Sequence, residues 1–213
     1  MPATRLYVED WDIDARLAEF SGITRAELYQ VVREVVGARA DAGPDDPLSA
    51  AGLFAYILGT RHKRALLRSK GWMPDRRENI EATSHPDGNL KVVYQSVDVA
   101  CDPFHTPQAI SGKGNGAERV ISQGSLFSDE EIAKLAVQSV TQPPVGMWFL
   151  CISVDGDDVR AELSKASGVA GGNFKPFEER IFILRKGEWE KIRVVGGDDS
   201  SDAIELEPTV RRK

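Results

Sequence analysis

Residues 147–164 read MWFLCISVDGDDVRAELS, which is an apolar run, a Gly-Asp-Asp turn and a second run. A short apolar run bounded by turn residues is typical of a buried strand. Glycine and aspartate are common in turns because both tolerate the backbone conformations that a chain reversal needs. The stretch therefore predicts two paired strands, residues 147–154 and 159–164.

Two further runs continue this pattern towards the C-terminus. Residues 179–184 predict a third strand, the sequence RKGE at 185–188 predicts a turn, and residues 189–195 predict a fourth strand. The last third of the chain is therefore predicted to form an antiparallel meander.

A β-hairpin is predicted in the middle of the chain. Residues 77–83 and 89–99 flank the sequence SHPDG, whose residue types favour a turn. In the second run Val92 and Tyr94 share one face of a strand, and Val93 lies on the other, because side chains alternate across a sheet.

Helices are predicted before this hairpin. Thr24 and Glu27 have the spacing of a capping box ahead of a helix over residues 25–40. Asp46, followed by proline, is the expected N-cap of a second helix over residues 47–70.

These elements predict an α+β fold with N-terminal helices, a central β-hairpin and a C-terminal antiparallel meander. Residues 98–128 predict a long irregular segment, and residues 129–140 predict one more short helix. A soft boundary then divides residues 1–142, a helical region with the hairpin and a glycine-rich loop, from residues 143–213, an antiparallel β region. We expect the two regions to pack as one domain.

The composition is that of an ordinary globular protein, with 41% hydrophobic and 28% charged residues. No apolar run reaches the ~18 residues that a membrane span requires, and the first residues have no apolar signal core. Two cysteines do not make a disulfide framework. We therefore expect a cytoplasmic protein that does not associate with membranes.

Charge is distributed unevenly along the chain. Residues 61–77 carry seven basic side chains and one acid, a net charge of +6, whereas the whole chain carries −6 and the remainder therefore −12. Such an asymmetry builds a local positive field. The basic side chains are those of Arg61, Lys63, Arg64, Arg68, Lys70, Arg76 and Arg77.

Two explanations of this basic stretch stay open. Cations at a helix C-terminus interact favourably with the helix dipole, which accounts for Arg64, Arg68 and Lys70. It accounts less well for basic residues beyond the helix, and these favour nucleic acid or an acidic protein surface as a partner. Trp72 either stacks on a base or closes the core.

A glycine-rich loop follows, with the sequence SGKGNGAER at residues 111–119. Its backbone N–H groups, together with Lys113 and Arg119, suit a phosphate. The spacing matches neither a P-loop nor a dinucleotide fingerprint, so a plain surface loop is the alternative.

Acidic residues supply the candidate catalytic set. Asp98, Asp102 and Glu162 are the proposed Mg²⁺ ligands, with Lys165 beside them, because converging carboxylates hold the metal that activates water in nucleases. The order of elements over residues 47–154 suits a restriction-endonuclease-like core. The glutamate-to-lysine spacing is one residue longer than the usual motif, and turn or edge carboxylates are the alternative.

Three functional hypotheses follow, of which the last is a small-molecule phosphate enzyme that uses the glycine-rich loop. The first is a nucleic-acid-binding protein, in its more specific form a Mg²⁺-dependent nuclease of a prokaryotic restriction or defence type. The second is a non-enzymatic interaction module that docks an acidic partner through its basic helix end.

Overall fold

The computed structural model describes residues 4–110 and 146–195. The helices in these ranges are α1 Asp10–Ser21, α2 Arg25–Ala40, α3 Ala50–Ser69 and α4 Trp189–Val195, with a 3-10 helix at Arg77–Asn79. The strands are β1 Arg5–Tyr7, β2 Met73–Asp75, β3 Ala82–Ser84, β4 Leu90–Ser96, β5 Gly146–Asp155, β6 Asp158–Lys165, β7 Val169–Ala170, β8 Asn173–Phe174 and β9 Glu179–Leu184. The predicted α+β class is confirmed.

Seven strands form one mixed sheet in the order β1-β9-β6-β5-β4-β3-β2, and β7 and β8 form a separate hairpin. The predicted pair of strands is present as β5 and β6, antiparallel around a turn in which Gly156 has a φ of +56°. Two neighbouring pairs, β1 with β9 and β4 with β5, are parallel. The sheet therefore joins strands from both sides of residue 142.

Both faces of the sheet are covered. On one face, side chains of β4 and β5 such as Val92, Tyr94 and Leu150 pack with the helices. On the other face, Val93 and Phe149 pack with residues of the segment after β4 and of the β7–β8 hairpin. A strand buried on both faces is apolar throughout, which explains the continuous apolar run of β5. The predicted alternation in β4 is confirmed.

The helix predicted over residues 25–40 is confirmed at both ends. Thr24 Oγ1 accepts a hydrogen bond from Glu27 N at 3.2 Å, and Glu27 Oε2 accepts one from Thr24 N at 2.8 Å. These reciprocal bonds form a capping box, which satisfies backbone donors that the first helical turn leaves without partners.

The predicted start of the next helix is wrong. The helix α3 begins at Ala50, and Asp46 instead accepts a hydrogen bond from Gly43 N at 2.8 Å within the preceding turn. At the other end Gly71 follows the helix with a φ of +88°, a conformation that glycine adopts without steric cost.

The last predicted strand is also wrong, because residues 189–195 form α4. Glu188 accepts the Arg185 N–H through Oε2 at 2.7 Å, and its carbonyl accepts the Ile192 N–H at 3.3 Å in a helical i to i+4 bond. Gly187, at a φ of +78°, reverses the chain just before it. Among the described helices, none is long and apolar enough to cross a membrane.

Candidate nucleic-acid interface and carboxylate cluster

The basic stretch begins in the second half of α3 and continues through β2 into the 3-10 helix. Five side chains of α3 recur every three or four residues and therefore share one side of the helix. We call them the α3 stripe: Leu53, Ile57, Arg61, Arg64 and Arg68. All of them are exposed except the half-buried Arg64. The stripe is apolar at its N-terminal end and basic at its C-terminal end.

Acids from outside the basic stretch neutralise part of its charge. Glu81 Oε2 lies 2.5 Å from an Arg64 Nη atom and 3.4 Å from Arg76 Nε. The hydrogen bond from Arg64 holds the pKa of the Glu81 carboxyl below its usual value. Lys70 Nζ lies 2.8 Å from a Glu27 carboxylate oxygen.

Asp75 neutralises the end of the stretch from inside it. Arg77 donates to both carboxylate oxygens of Asp75, at 3.0 and 2.8 Å, and Lys91 Nζ lies 2.9 Å away. These contacts, that of Arg77 foremost, hold the pKa of the Asp75 carboxyl far below its usual range. The pairing leaves 77% of the Arg77 side chain exposed.

Two of the candidate nucleic-acid-binding residues lie inside the protein, which contradicts the prediction for Lys63 and decides between the two alternatives for Trp72. Lys63 is 1% exposed and donates to two backbone carbonyls of the hairpin region. Trp72 is 2% exposed and packs against Phe20, with ring centroids 5.9 Å apart. Neither side chain is available to an external partner, and Trp72 closes the core.

Four arginines of the basic stretch remain accessible to an external partner. Two of them meet no acid among the described residues, and the other two are mostly exposed beside their acids. Among residues 4–110 and 146–195, no acid lies within 4.0 Å of Arg61 or Arg68. The Arg76 and Arg77 side chains are 70% and 77% exposed beside their acids. Glu81 contacts both Arg64 of the α3 stripe and Arg76, so exposed arginines of α3 are continued by basic residues of the chain that follows it.

The three predicted metal ligands lie in one region, on the sheet face that the segment after β4 covers. Asp98 and Asp102 belong to the segment after β4, and the backbone N–H of Cys101, next to Asp102, donates to Glu162 Oε2 at 2.5 Å. The strand β6 has a register shift between Ala161 and Glu162. Such irregularities redirect side chains, and here Glu162 lies under the segment.

Glu162 is fully buried and its two carboxylate oxygens are saturated by protein donors. Arg180 donates to both oxygens, at 2.8 and 2.7 Å, and Ser164 Oγ donates to Oε1 at 2.6 Å. With the Cys101 N–H, four hydrogen bonds hold one carboxylate. This geometry is that of a structural ion pair, and it leaves no free oxygen directed towards solvent.

Arg180 also fixes the segment that carries the aspartates. Its Nη1 atom donates to the carbonyl oxygens of Asp102 at 2.8 Å and His105 at 2.9 Å. The segment is further constrained at Cys101, whose φ is +54°, a conformation uncommon outside glycine. Burial raises the pKa of the Cys101 thiol well above its usual value, so this thiol is protonated rather than a nucleophile.

Asp98 and Asp102 are engaged more loosely than Glu162. Asp98 Oδ2 lies 2.9 Å from His105 Nε2, and its Oδ1 accepts the Gln108 N–H at 2.8 Å. Asp102 Oδ1 accepts the Phe104 N–H at 2.8 Å. Within the described ranges, no group of three or more His, Cys, Asp or Glu residues is arranged to hold a metal. The Mg²⁺ site therefore stays a prediction.

Other predicted site residues lie elsewhere. Lys165, at the end of β6, forms a surface ion pair with Glu178 at 2.7 Å. Lys113 and Arg119, with the whole glycine-rich loop and the helix predicted over residues 129–140, lie outside the described residues.

Sequence reasoning missed Arg180 and Ser164, which complete the Glu162 network, and the apolar end of the α3 stripe. The alternation in β9 carried a signal for Arg180, since it shares the face of Phe182 and not that of Ile181 and Ile183. A basic residue on a buried strand face implies a buried acid opposite it.

Comparison with protein-family models, curated proteins and solved structures gives no match.

Proposed function

We propose that the protein binds nucleic acid through the arginines at the C-terminal end of α3. The observation that carries the proposal is that Arg61 and Arg68 share one exposed side of α3 and meet no acid among the described residues. Arg76 and Arg77 extend the same positive surface. Guanidinium groups suit phosphate because they offer paired donors in a fixed plane.

The neighbouring acids limit the strength of this surface. Glu81, Asp75 and Glu27 each lie within 3.4 Å of one of its cations, so the folded surface is less positive than the linear sequence implies. We therefore expect binding that depends mainly on phosphate contacts and falls steeply as salt rises.

The test is fluorescence anisotropy with labelled single-stranded DNA, duplex DNA and RNA at low and moderate salt. We expect the double variant Arg61→Glu/Arg68→Glu to lose at least about tenfold in affinity, because two phosphate contacts become two repulsions. A matched control is Lys186→Glu/Lys191→Glu, which changes the net charge equally at two exposed lysines outside the α3 stripe.

Three results would refute nucleic-acid binding at this surface. They are no binding of any probe at low salt, equal losses in the two double variants, and an affinity that does not respond to salt. The equal-loss result would mean that total charge, and not the α3 surface, sets the affinity.

The nuclease form of the proposal rests on the proximity of Asp98 and Asp102 to the buried Glu162. We expect Asp98→Asn and Asp102→Asn to abolish Mg²⁺-dependent cleavage while leaving binding intact, because the arginine surface is elsewhere. Both variants leave the buried ion pair unchanged, and an Asn side-chain oxygen can still accept the backbone N–H groups that each aspartate binds. Cleavage that persists in both variants, or in EDTA, would remove these aspartates as metal ligands.

The second candidate is a protein interaction module, and the apolar end of the α3 stripe favours it. Leu53 and Ile57 are 52% and 42% exposed on the side that continues into Arg61. An acidic segment with an apolar face would complement both ends of the stripe. Leu53→Ser/Ile57→Ser should then weaken partner binding and leave nucleic-acid affinity unchanged, which separates the two functions.

A further inference from the structure

Lys63 is a buried amine on the inner side of α3. Its Nζ atom donates to the carbonyl oxygen of Val92 in β4 at 2.9 Å and to that of Glu81 at 3.2 Å. The residue is 1% exposed. The amine therefore connects α3 to the hairpin region through two backbone acceptors.

These two acceptors match the proton count of a neutral amine. A neutral amine has two N–H groups and a lone pair, whereas an ammonium ion has three N–H groups and no acceptor. The side chain borders a small space lined by apolar residues, among them Phe20, Leu66 and Leu150. A third N–H of Lys63 would have no acceptor there, and an unsatisfied buried donor is costly.

The charged groups around Lys63 do not compensate for the acceptor that a third N–H of the ammonium ion would lack. On α3 itself Arg64 opposes a second positive charge, and just before β3 Glu81 favours one. The Glu81 carboxylate is already bound by Arg64 at 2.5 Å. The residues of α1, α2, β5 and β6 that line the space are apolar. Burial, and then Arg64, lower the pKa of Lys63 to about 7.

Lys91 provides the contrast within the same sheet. It is also buried, but its Nζ lies 2.9 Å from a carboxylate oxygen of Asp75. A lysine that faces a carboxylate is stabilised as an ion, whereas a lysine that faces only carbonyls gains less from its charge.

We propose that the packed state of α3 holds Lys63 as a neutral amine, so that the contact between α3 and β4 responds to pH. The inference does not rest on nucleic-acid binding. An exposed lysine keeps its ordinary pKa of about 10.4. The unfolded chain therefore binds one more proton than the folded chain between about pH 7 and 10. Across this window the free energy of unfolding must rise with pH, and below it Lys63 is protonated in both states and contributes no slope.

The experiment compares denaturant unfolding of the wild type and Lys63→Met between pH 7.5 and 9.5. Relative to the variant, we expect the wild-type unfolding constant to fall about tenfold per pH unit, because one proton is released on folding. His62, His85 and the tyrosines are present in both proteins and cancel in the difference. Lys91→Met is the matched control and should keep the wild-type slope.

A direct measurement covers the case in which Lys63→Met does not fold. Carbon-detected NMR of the lysine side chains in the wild type should show one lysine that titrates with a midpoint near pH 7. The proposal is overturned if every lysine stays charged up to pH 9, or if wild type and Lys63→Met show the same pH slope.

Discussion

Glu162 and Arg180 form an ion pair inside the protein, with exposed side-chain fractions of 0% and 4%. Burying two charges costs several kcal/mol, and the cost is offset only when geometry and further hydrogen bonds are good. Here both oxygens of the Glu162 carboxylate have donors, and Arg180 uses its Nη1 atom to donate to two carbonyls of the segment after β4. The pair therefore fixes that segment to the sheet.

The first prediction concerns this pair. Glu162→Gln should lower the free energy of unfolding by about 3–5 kcal/mol, because it leaves the Arg180 charge buried without a counter-charge. The matched control is Glu178→Gln, which removes the partner of Lys165 at the surface and should cost at most about 1 kcal/mol. Urea midpoints of the two variants check the prediction, and equal effects would contradict it.

At single residues, the sequence shows which side chains are charged or aromatic, but it does not show which of them are buried or which partners they contact. Glu162 was interpreted as a metal ligand because its basic partner, Arg180, lies 18 residues later on another strand, and the sequence around Glu162 itself does not show the pairing. The sequence likewise does not separate the buried Lys63 from the exposed cations of α3, since a run of basic residues conceals which side of the helix each one occupies, and it leaves both alternatives for Trp72 open. Long-range pairing between strands decides these environments, and short sequence windows do not contain it.

The helix α3 approaches the sheet closely at a glycine. Gly59 lies on its buried side against Tyr94 of β4, and a Cβ atom built there would lie 2.6 Å from the Tyr94 ring. The absence of a side chain therefore lets the helix approach the sheet, and the same approach brings Lys63 to the carbonyl of Val92. Gly52, on the same helix, has open space around it.

The second prediction compares these two glycines. Gly59→Ala and Gly52→Ala gain the same helix propensity, about 1 kcal/mol. Only Gly59→Ala overpacks the buried interface, which costs about 1–3 kcal/mol. We therefore expect Gly59→Ala to be less stable than Gly52→Ala by about 1–3 kcal/mol in thermal or urea unfolding. Equal stability would mean that α3 lies farther from β4 than the structure places it.

The third prediction concerns helix starts. Thr24→Ala should cost about 1 kcal/mol through the lost capping box of α2. Asp46→Ala should cost less than about 0.5 kcal/mol, because Asp46 is exposed in a turn and does not cap α3. Denaturant midpoints decide between them, and a larger loss for Asp46→Ala would restore it as a cap.

Elements were predicted well where local chemistry specifies them and poorly where tertiary structure decides. The capping box correctly predicted the first residue of α2, and the apolar runs correctly predicted the positions of β5, β6 and β9. Residues 189–195, predicted as a strand, form a helix in the structure, and Glu188 just before it binds Arg185 of the preceding turn. The helix α1 lacked a side-chain cap and was not predicted.

On the scale of the whole molecule, one sheet combines distant parts of the chain. The strand β4 pairs in parallel with β5 along its full length, although residues 97–145 separate them. The core on the helix side likewise mixes both regions, since Phe20 of α1 contacts Trp72 and Trp148 with ring centroids 5.9 and 4.7 Å apart. Neither region on its own completes this core.

The last prediction follows from this shared core. We expect residues 1–142 and 143–213 to unfold together in one cooperative transition, as small single domains do. The chain has four tryptophans, at positions 11, 72, 148 and 189, so two triple Trp→Phe variants are needed, one that keeps only Trp72 and one that keeps only Trp148. Urea unfolding of each variant is followed by fluorescence, which then reports one region, and by far-ultraviolet circular dichroism. Coincident fluorescence and dichroism transitions within each variant support one folding unit. If the fluorescence that remains in one variant is lost at lower urea than its circular dichroism, the two regions unfold independently, and the parallel pairing of β4 with β5 does not couple them.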